Sequence, residues 1–186
     1  MKTNVSKTVL WITRTAVFLA LLVAVQFLTR SLGQLVTGSA VNFVLVACAL
    51  IAGLSSGATV AVISPFAAKL LGIGPLWEFI PVIALANVVI VLVFSLLLGR
   101  ARRKEGPVKY ALWVTAIAAG AAAKFLVLYL GIVKILIPLM SSIPAPQAEK
   151  LSAMFSVTQL FTALIGGVIA MLLVEPLRTA IRKSRE

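Results

Sequence analysis

The side chains of this chain that could do chemistry are mostly cations. Its 186 residues hold 17 Lys and Arg against five acids, all of them glutamate, with no histidine, no aspartate and one cysteine, Cys48. A His/Cys metal site or a disulfide framework is therefore not available within one chain. No apolar run contains paired carboxylates, so acid–base or metal-assisted hydrolysis is poorly equipped and no catalytic residue is expected. A GxxxxGK[ST] phosphate loop is also absent, which excludes ATP hydrolysis by that route. What remains is recognition of charge. The segment "AAAKFLVLYLGIVK", residues 121 to 134, sets Lys124 and Lys134 in an apolar run with no acid between or beside them.

The elements that must position these lysines are apolar helices. The chain is 61 % hydrophobic and 12 % charged, values far from those of a soluble domain. The net charge of +12 would point to nucleic acid in a soluble protein, but that partner needs a solvated basic surface, and here the charges are separated by apolar runs. Those runs have the length, roughly 17 to 25 residues, that crosses a hydrocarbon core of about 30 Å. The expected spans are about 9–28, 40–54, 58–71, 79–98, 110–137 and 151–174, forming one membrane domain over 1–186. The second and third are short, and their Gly, Ser and Pro content allows one to be broken or re-entrant. The N-terminal segment resembles a signal peptide but lacks a clear small-residue cleavage site, so it is read as a retained first helix. Cys48 lies inside an apolar run and reads as a small buried hydrophobe.

Positive charge near span ends is retained in the cytoplasm. Lys2, Lys7 and Arg14 precede or open the first span, Arg100, Arg102, Arg103, Lys104 and Lys109 follow the fourth, and Arg178, Arg182, Lys183 and Arg185 follow the sixth. An even number of spans puts all three clusters on one side. The expected fold is an all-α, compact six-transmembrane-helix bundle with both termini cytoplasmic. Arg30, Lys69, Lys124, Lys134 and Lys150 then fall toward the outer half.

Depth separates the two lysines of the opening segment. Counted from Tyr110 at about 1.5 Å per residue, Lys124 lies roughly 21 Å along its span. An unpartnered lysine at the bilayer centre costs about 2.5–3.5 kcal/mol on insertion scales, so Lys124 must face protein, water or a ligand. Lys134, about 15 Å further out by the same rise, can extend to the outer headgroups. Two partners are open to Lys124. One is an anionic group on a small ligand, with Glu78 or Lys69 tuning the site. The other is a structural pair with Glu78, the one acid near the outer end.

In the first span, Ala16, Ala20 and Ala24 recur every four residues and form a small-residue face that another helix could approach closely. That AxxxAxxxA face, six short-looped spans, basic cytoplasmic ends and a polar outer half resemble the substrate-binding S component of an energy-coupling factor (ECF) vitamin transporter, an ABC-type importer. The stretches "LVTGSAVNFVL", "SPFAAKLLGIGPLWEFIPVIALANVVI" and "FSVTQLFTALIGG" look like S components of unassigned specificity. The resemblance implies a non-enzymatic membrane subunit of a bacterial cytoplasmic membrane. It would bind a small micronutrient from outside and dock through Ala16, Ala20 and Ala24 to a transmembrane coupling subunit. Two partner ATPases would hydrolyse the ATP; no cofactor would be bound for catalysis, and the whole subunit would topple during transport.

The resemblance also implies an outward pocket. In this sequence it points to Gln34, Thr37 and Asn42, to Lys69, Trp77, Glu78 and Asn87, and to Lys124, Tyr129, Lys134, Gln159 and Thr162. Each has a structural role available as well. Trp77 and Tyr129 suit a membrane interface, Asn42, Asn87 and Thr162 suit helix bridging, Gln34 and Thr37 suit loop solvation, and Glu78 suits a helix N-terminus. A positive outer pocket favours a carboxylated or phosphorylated ligand. The competing readings are a stand-alone small-molecule facilitator and a non-enzymatic membrane scaffold. The basic linker and tail would also meet anionic lipid headgroups.

Overall fold

A computed structural model describes residues 6–101 and 106–183; of the basic residues used above for orientation, Lys2, Arg102, Arg103, Lys104 and Arg185 lie outside them. Six long helices carry the architecture: α1 (Lys7–Thr29), α2 (Gln34–Ile51), α3 (Leu54–Leu70), α4 (Ile80–Ala101), α5 (Pro107–Leu128) and, after the short α6 (Ala145–Met154), α7 (Val157–Lys183). No strand occurs among the described residues. Five of the six are long and apolar enough to cross a membrane, and α3 is apolar but only 17 residues long. The all-α membrane bundle expected from the sequence is what forms.

Local chemistry sets the helix limits. The Ser6 hydroxyl accepts a hydrogen bond from the Val9 amide and opens α1. Pro107 occupies the first turn of α5, where its missing N–H costs nothing. Between α2 and α3 only Ala52 and Gly53 intervene, and Gly53 takes φ +106°, a conformation that side chains resist. Helices α2 and α3 start ahead of the apolar runs at 40 and 58, because backbone bonding continues through the polar "QLVTGS" and "SSG" segments. Polarity marks which face is wet, not where a helix begins.

The last expected span, 151–174, is divided. Ser156 and Thr158 donate to the Ala153 carbonyl, and Gln159 donates to the Met154 carbonyl, so side chains satisfy the orphan acceptors at the end of α6. The chain then restarts as α7. Beyond Leu128, α5 widens into a π-helical stretch, Tyr129–Leu136, and closes with one α-turn, Ile137–Leu139.

Packing is tightest between α2 and α7. A Cβ added at Gly166 would lie 2.6 Å from Asn42 Cβ and 2.7 Å from the Ser39 carbonyl oxygen, so the two backbones are nearly in contact. The largest core, including Val46, Leu50, Ile90, Phe94, Trp113 and Ile117, joins α2, α4, α5 and α7. A second packs Leu22 and Leu45 with Val60 and the fully buried Cys48. A third, with Phe79 set edge-on to Phe155 at 5.8 Å, holds the other end of the bundle together. At the end carrying the termini, Glu175 pairs with Lys109 at 3.3 Å and Arg178 at 3.4 Å, and Arg178 also donates to the Leu50 carbonyl.

Helix α1 is the least enclosed of the long helices. Only 11 % of its most apolar stretch is buried, against 56 % for α2. One edge docks on α3, where Thr15 donates to Ser56 and Trp11 to Ser55. Ala16, Ala20 and Ala24 are all exposed.

Candidate functional site

Lys124 is buried at 4 % exposure, and the small residues that precede it on α5 allow α4 to come close: Gly120 is packed against Phe94 and Ala121 is fully buried. Its ammonium donates to Asn42 Oδ1 at 2.6 Å and to Asn87 Oδ1 at 2.7 Å. Asn42 passes the chain on, donating through Nδ2 to Thr162 Oγ1 at 3.3 Å, and Thr162 donates to the Gln159 carbonyl at 3.0 Å. One polar chain thus ties α4, α5, α2 and α7 at mid-bundle. The α2–α7 contact at Gly166 brings Asn42 and Thr162 together.

Two amide oxygens solvate a lysine but do not neutralise it. An ammonium has three donors, and among the described residues the third N–H of Lys124 has no protein partner. Lys124 instead forms part of the lining of a cavity of about 610 Å³, within the size range of small-molecule sites. The polar lining includes Gln26, Gln34, Thr37, Asn87, Thr158 and Gln159. Val41, Ile80, Ile83, Leu128, Met154 and Phe155 supply much of the apolar wall. Arg30 and Lys150, both exposed, bring the cavity to the surface at the end of the bundle opposite the Glu175 pairs. Among the described residues no carboxylate contributes to the lining. Gln26 Oε1 is buried there without a hydrogen-bond partner, a condition that costs about 1–3 kcal/mol until something donates to it.

The positions expected from sequence divide into three groups. Gln34, Thr37, Asn87, Lys124 and Gln159 line the cavity; the Thr37 hydroxyl is also bonded to the Thr29 carbonyl at 2.7 Å. Asn42 and Thr162 stand behind it, in the chain that holds Lys124. Lys69, Trp77, Glu78 and Tyr129 lie outside the lining. Lys69 sits over the Trp77 ring at 5.8 Å, while Tyr129 stacks on Phe125 and the Lys134 ammonium lies 5.4 Å from the centre of the Tyr129 ring. These pairs place the cations against aromatic faces outside the cavity lining. Lys134 is exposed.

The Lys124–Glu78 pair is not formed. Glu78 is exposed, in the 3₁₀ turn Trp77–Phe79 ahead of α4, and the buried ammonium takes the two asparagines instead. Sequence reading missed Gln26 and Thr158 altogether and gave Arg30 and Lys150 only a general place in the outer half. For Gln26 a signal existed in the sequence, a lone amide within the apolar first span; in the structure it shares the inward face of the fully buried Leu22, four residues earlier. Among the described residues no cluster of three His, Cys, Asp or Glu could hold a metal.

A family model described as "ECF transporter, substrate-specific component" matches residues 12–178. No curated protein and no solved structure gives a significant match. The family match runs through all six long helices and includes the whole polar chain from Asn42 to Thr162. This multi-pass membrane protein therefore belongs to the family of substrate-specific components of ECF transporters.

Proposed function

We propose that the chain binds a small anionic micronutrient, a carboxylate or phosphate, in the cavity above Lys124. The observation that carries this reading is the buried ammonium with, among the described residues, two neutral partners, a free N–H and no acid in the surrounding lining. A ligand anion would supply the missing charge, and the low dielectric of the bundle would make that contact count. Asn87, Gln159, Gln34, Thr37 and Gln26 would orient the rest of the ligand, with a ligand donor meeting Gln26 Oε1. Asn42 and Thr162 would act through Lys124. The cavity mouth would face outward and both termini the cytoplasm of a bacterial cell, since the basic clusters gather at the opposite end.

For transport, α1 would dock through Ala16, Ala20 and Ala24 onto a transmembrane coupling subunit served by two ATPases. Their exposure on the least buried helix supports this. The variant Ala16→Leu/Ala20→Leu separates docking from binding. It is expected to retain whatever small molecule copurifies with the wild-type chain, while losing capture by the coupling subunit and uptake. An intact complex with unchanged uptake would rule out this face as the docking surface.

A further inference from the structure

We propose that the cavity has a second anion-recognising pole at its mouth, formed by Arg30 and Lys150, and that its ligand is an elongated amphipathic dianion with an acidic group at each end. The proposal rests on the reading of Lys124 as an anion partner. Asn42 lies eight residues into α2 and Asn87 seven into α4, so at 1.5 Å per residue the Lys124 head group sits about 10–12 Å below the starts of those helices. Arg30 precedes α2 and Lys150 belongs to α6, so both cations stand at the top of the same cavity. The wall between the poles is largely apolar, with Val41, Ile80, Ile83 and Leu128 among its residues. A floor cation, an apolar shaft and mouth cations match a molecule with acid, hydrocarbon and acid in that order.

Among the described residues neither mouth cation forms a salt bridge with an acidic neighbour. The salt bridges among them are those of Glu175 at the far end, and Glu149, adjacent to Lys150 in sequence, is outside the lining. Arg30 is held with its guanidinium 4.3 Å from the centre of the Phe27 ring, which limits its freedom while leaving its N–H edges available. Lys69 and Lys134 are also cations of this half, but their aromatic contacts lie away from the cavity. The positive mouth would also draw anions in from solution.

The test uses the full chain in detergent, freed of bound small molecules, and follows thermal unfolding against a graded series of straight-chain α,ω-dicarboxylates and the matching monocarboxylates. At one preferred length the diacid should bind about tenfold more tightly than its monoacid, the worth of one further charge-assisted contact. Arg30→Gln/Lys150→Gln, at two exposed positions, should bring the diacid down to the level of the monoacid. Equal binding of both acids, or a diacid preference that survives this double variant, would overturn the second pole and leave the Lys124 reading standing. If no acid of either kind bound, both the second pole and the anionic reading of the cavity would fall.

Discussion

Lys124→Met is expected to leave a folded protein that no longer retains its ligand, with affinity reduced at least about a hundredfold, in line with losing a buried charge-assisted contact. Two opposing terms decide the stability. Removing the ammonium leaves Asn42 Oδ1 and Asn87 Oδ1 without their donor, at about 1–3 kcal/mol for each buried acceptor. It also removes a mid-membrane charge, whose insertion costs about 2.5–3.5 kcal/mol. These are similar in size, so the net change should be small, and Met keeps most of the volume of the lysine stem. Lys124→Gln would restore a donor to the asparagines without the charge. Both variants are to be compared with wild type by size-exclusion profile, thermal unfolding and ligand retention. If both lost the folded protein, the lysine would be a structural tie between α2, α4 and α5; if both kept full binding, the ligand would not need its charge.

Gly166→Ala is expected to have the largest effect on stability, a loss of about 2–4 kcal/mol from overpacking together with disruption of a buried polar chain. The new methyl would meet the Ser39 carbonyl oxygen at 2.7 Å and the Phe43 amide nitrogen at 2.9 Å, both backbone atoms that cannot turn aside. The α2–α7 spacing would have to open. The Asn42–Thr162 bond, already 3.3 Å, would break first, releasing the side chain that holds Lys124. Gly99→Ala is the contrasting change. A Cβ there meets nothing within 4 Å, and Gly99 lies in helix α4, so the substitution should be neutral or add up to about 1 kcal/mol. Unfolding in a single detergent would compare the pair, and equal behaviour of the two would contradict the close-packing account.

Much of the architecture could be read from the sequence because a bilayer leaves few solutions: apolar runs of spanning length must be helices with their backbone groups internally bonded. Lys124 could be singled out for the same reason, since depth along a span follows from counting residues. Its partners could not. Charge makes Glu78 the one protein acid open to Lys124 beside a ligand anion, but charge says nothing about which helices meet, and contact between α2 and α7 depends on Gly38 and Gly166 removing two Cβ atoms from the interface. Asn42 and Asn87 stand in the sequence as candidate pocket or helix-bridging residues, while their convergence on one ammonium is a property of packing across helices.

Other features were hidden by local competition. The division between α6 and α7 depends on Ser156, Thr158 and Gln159 turning back to cap carbonyls, although the same residues would suit the polar face of a continuous helix. The π-helical stretch 129–136 has no marker in its residue types; a Cβ at Gly131 would stand 2.7 Å from Val82, a proximity visible only once α4 and α5 are assembled. Trp77 and Tyr129 were identified as outer-half aromatics, but the contacts that assign Lys69 to one and Lys134 to the other, away from the cavity, follow from the fold.

The most direct measurement is the identity and charge of the small molecule that copurifies with the wild-type chain, released by denaturation and read by mass spectrometry alongside Lys124→Met. The account predicts a carboxylated or phosphorylated compound present near one equivalent in wild type and absent from the variant. A neutral or cationic compound retained equally by both would contradict it.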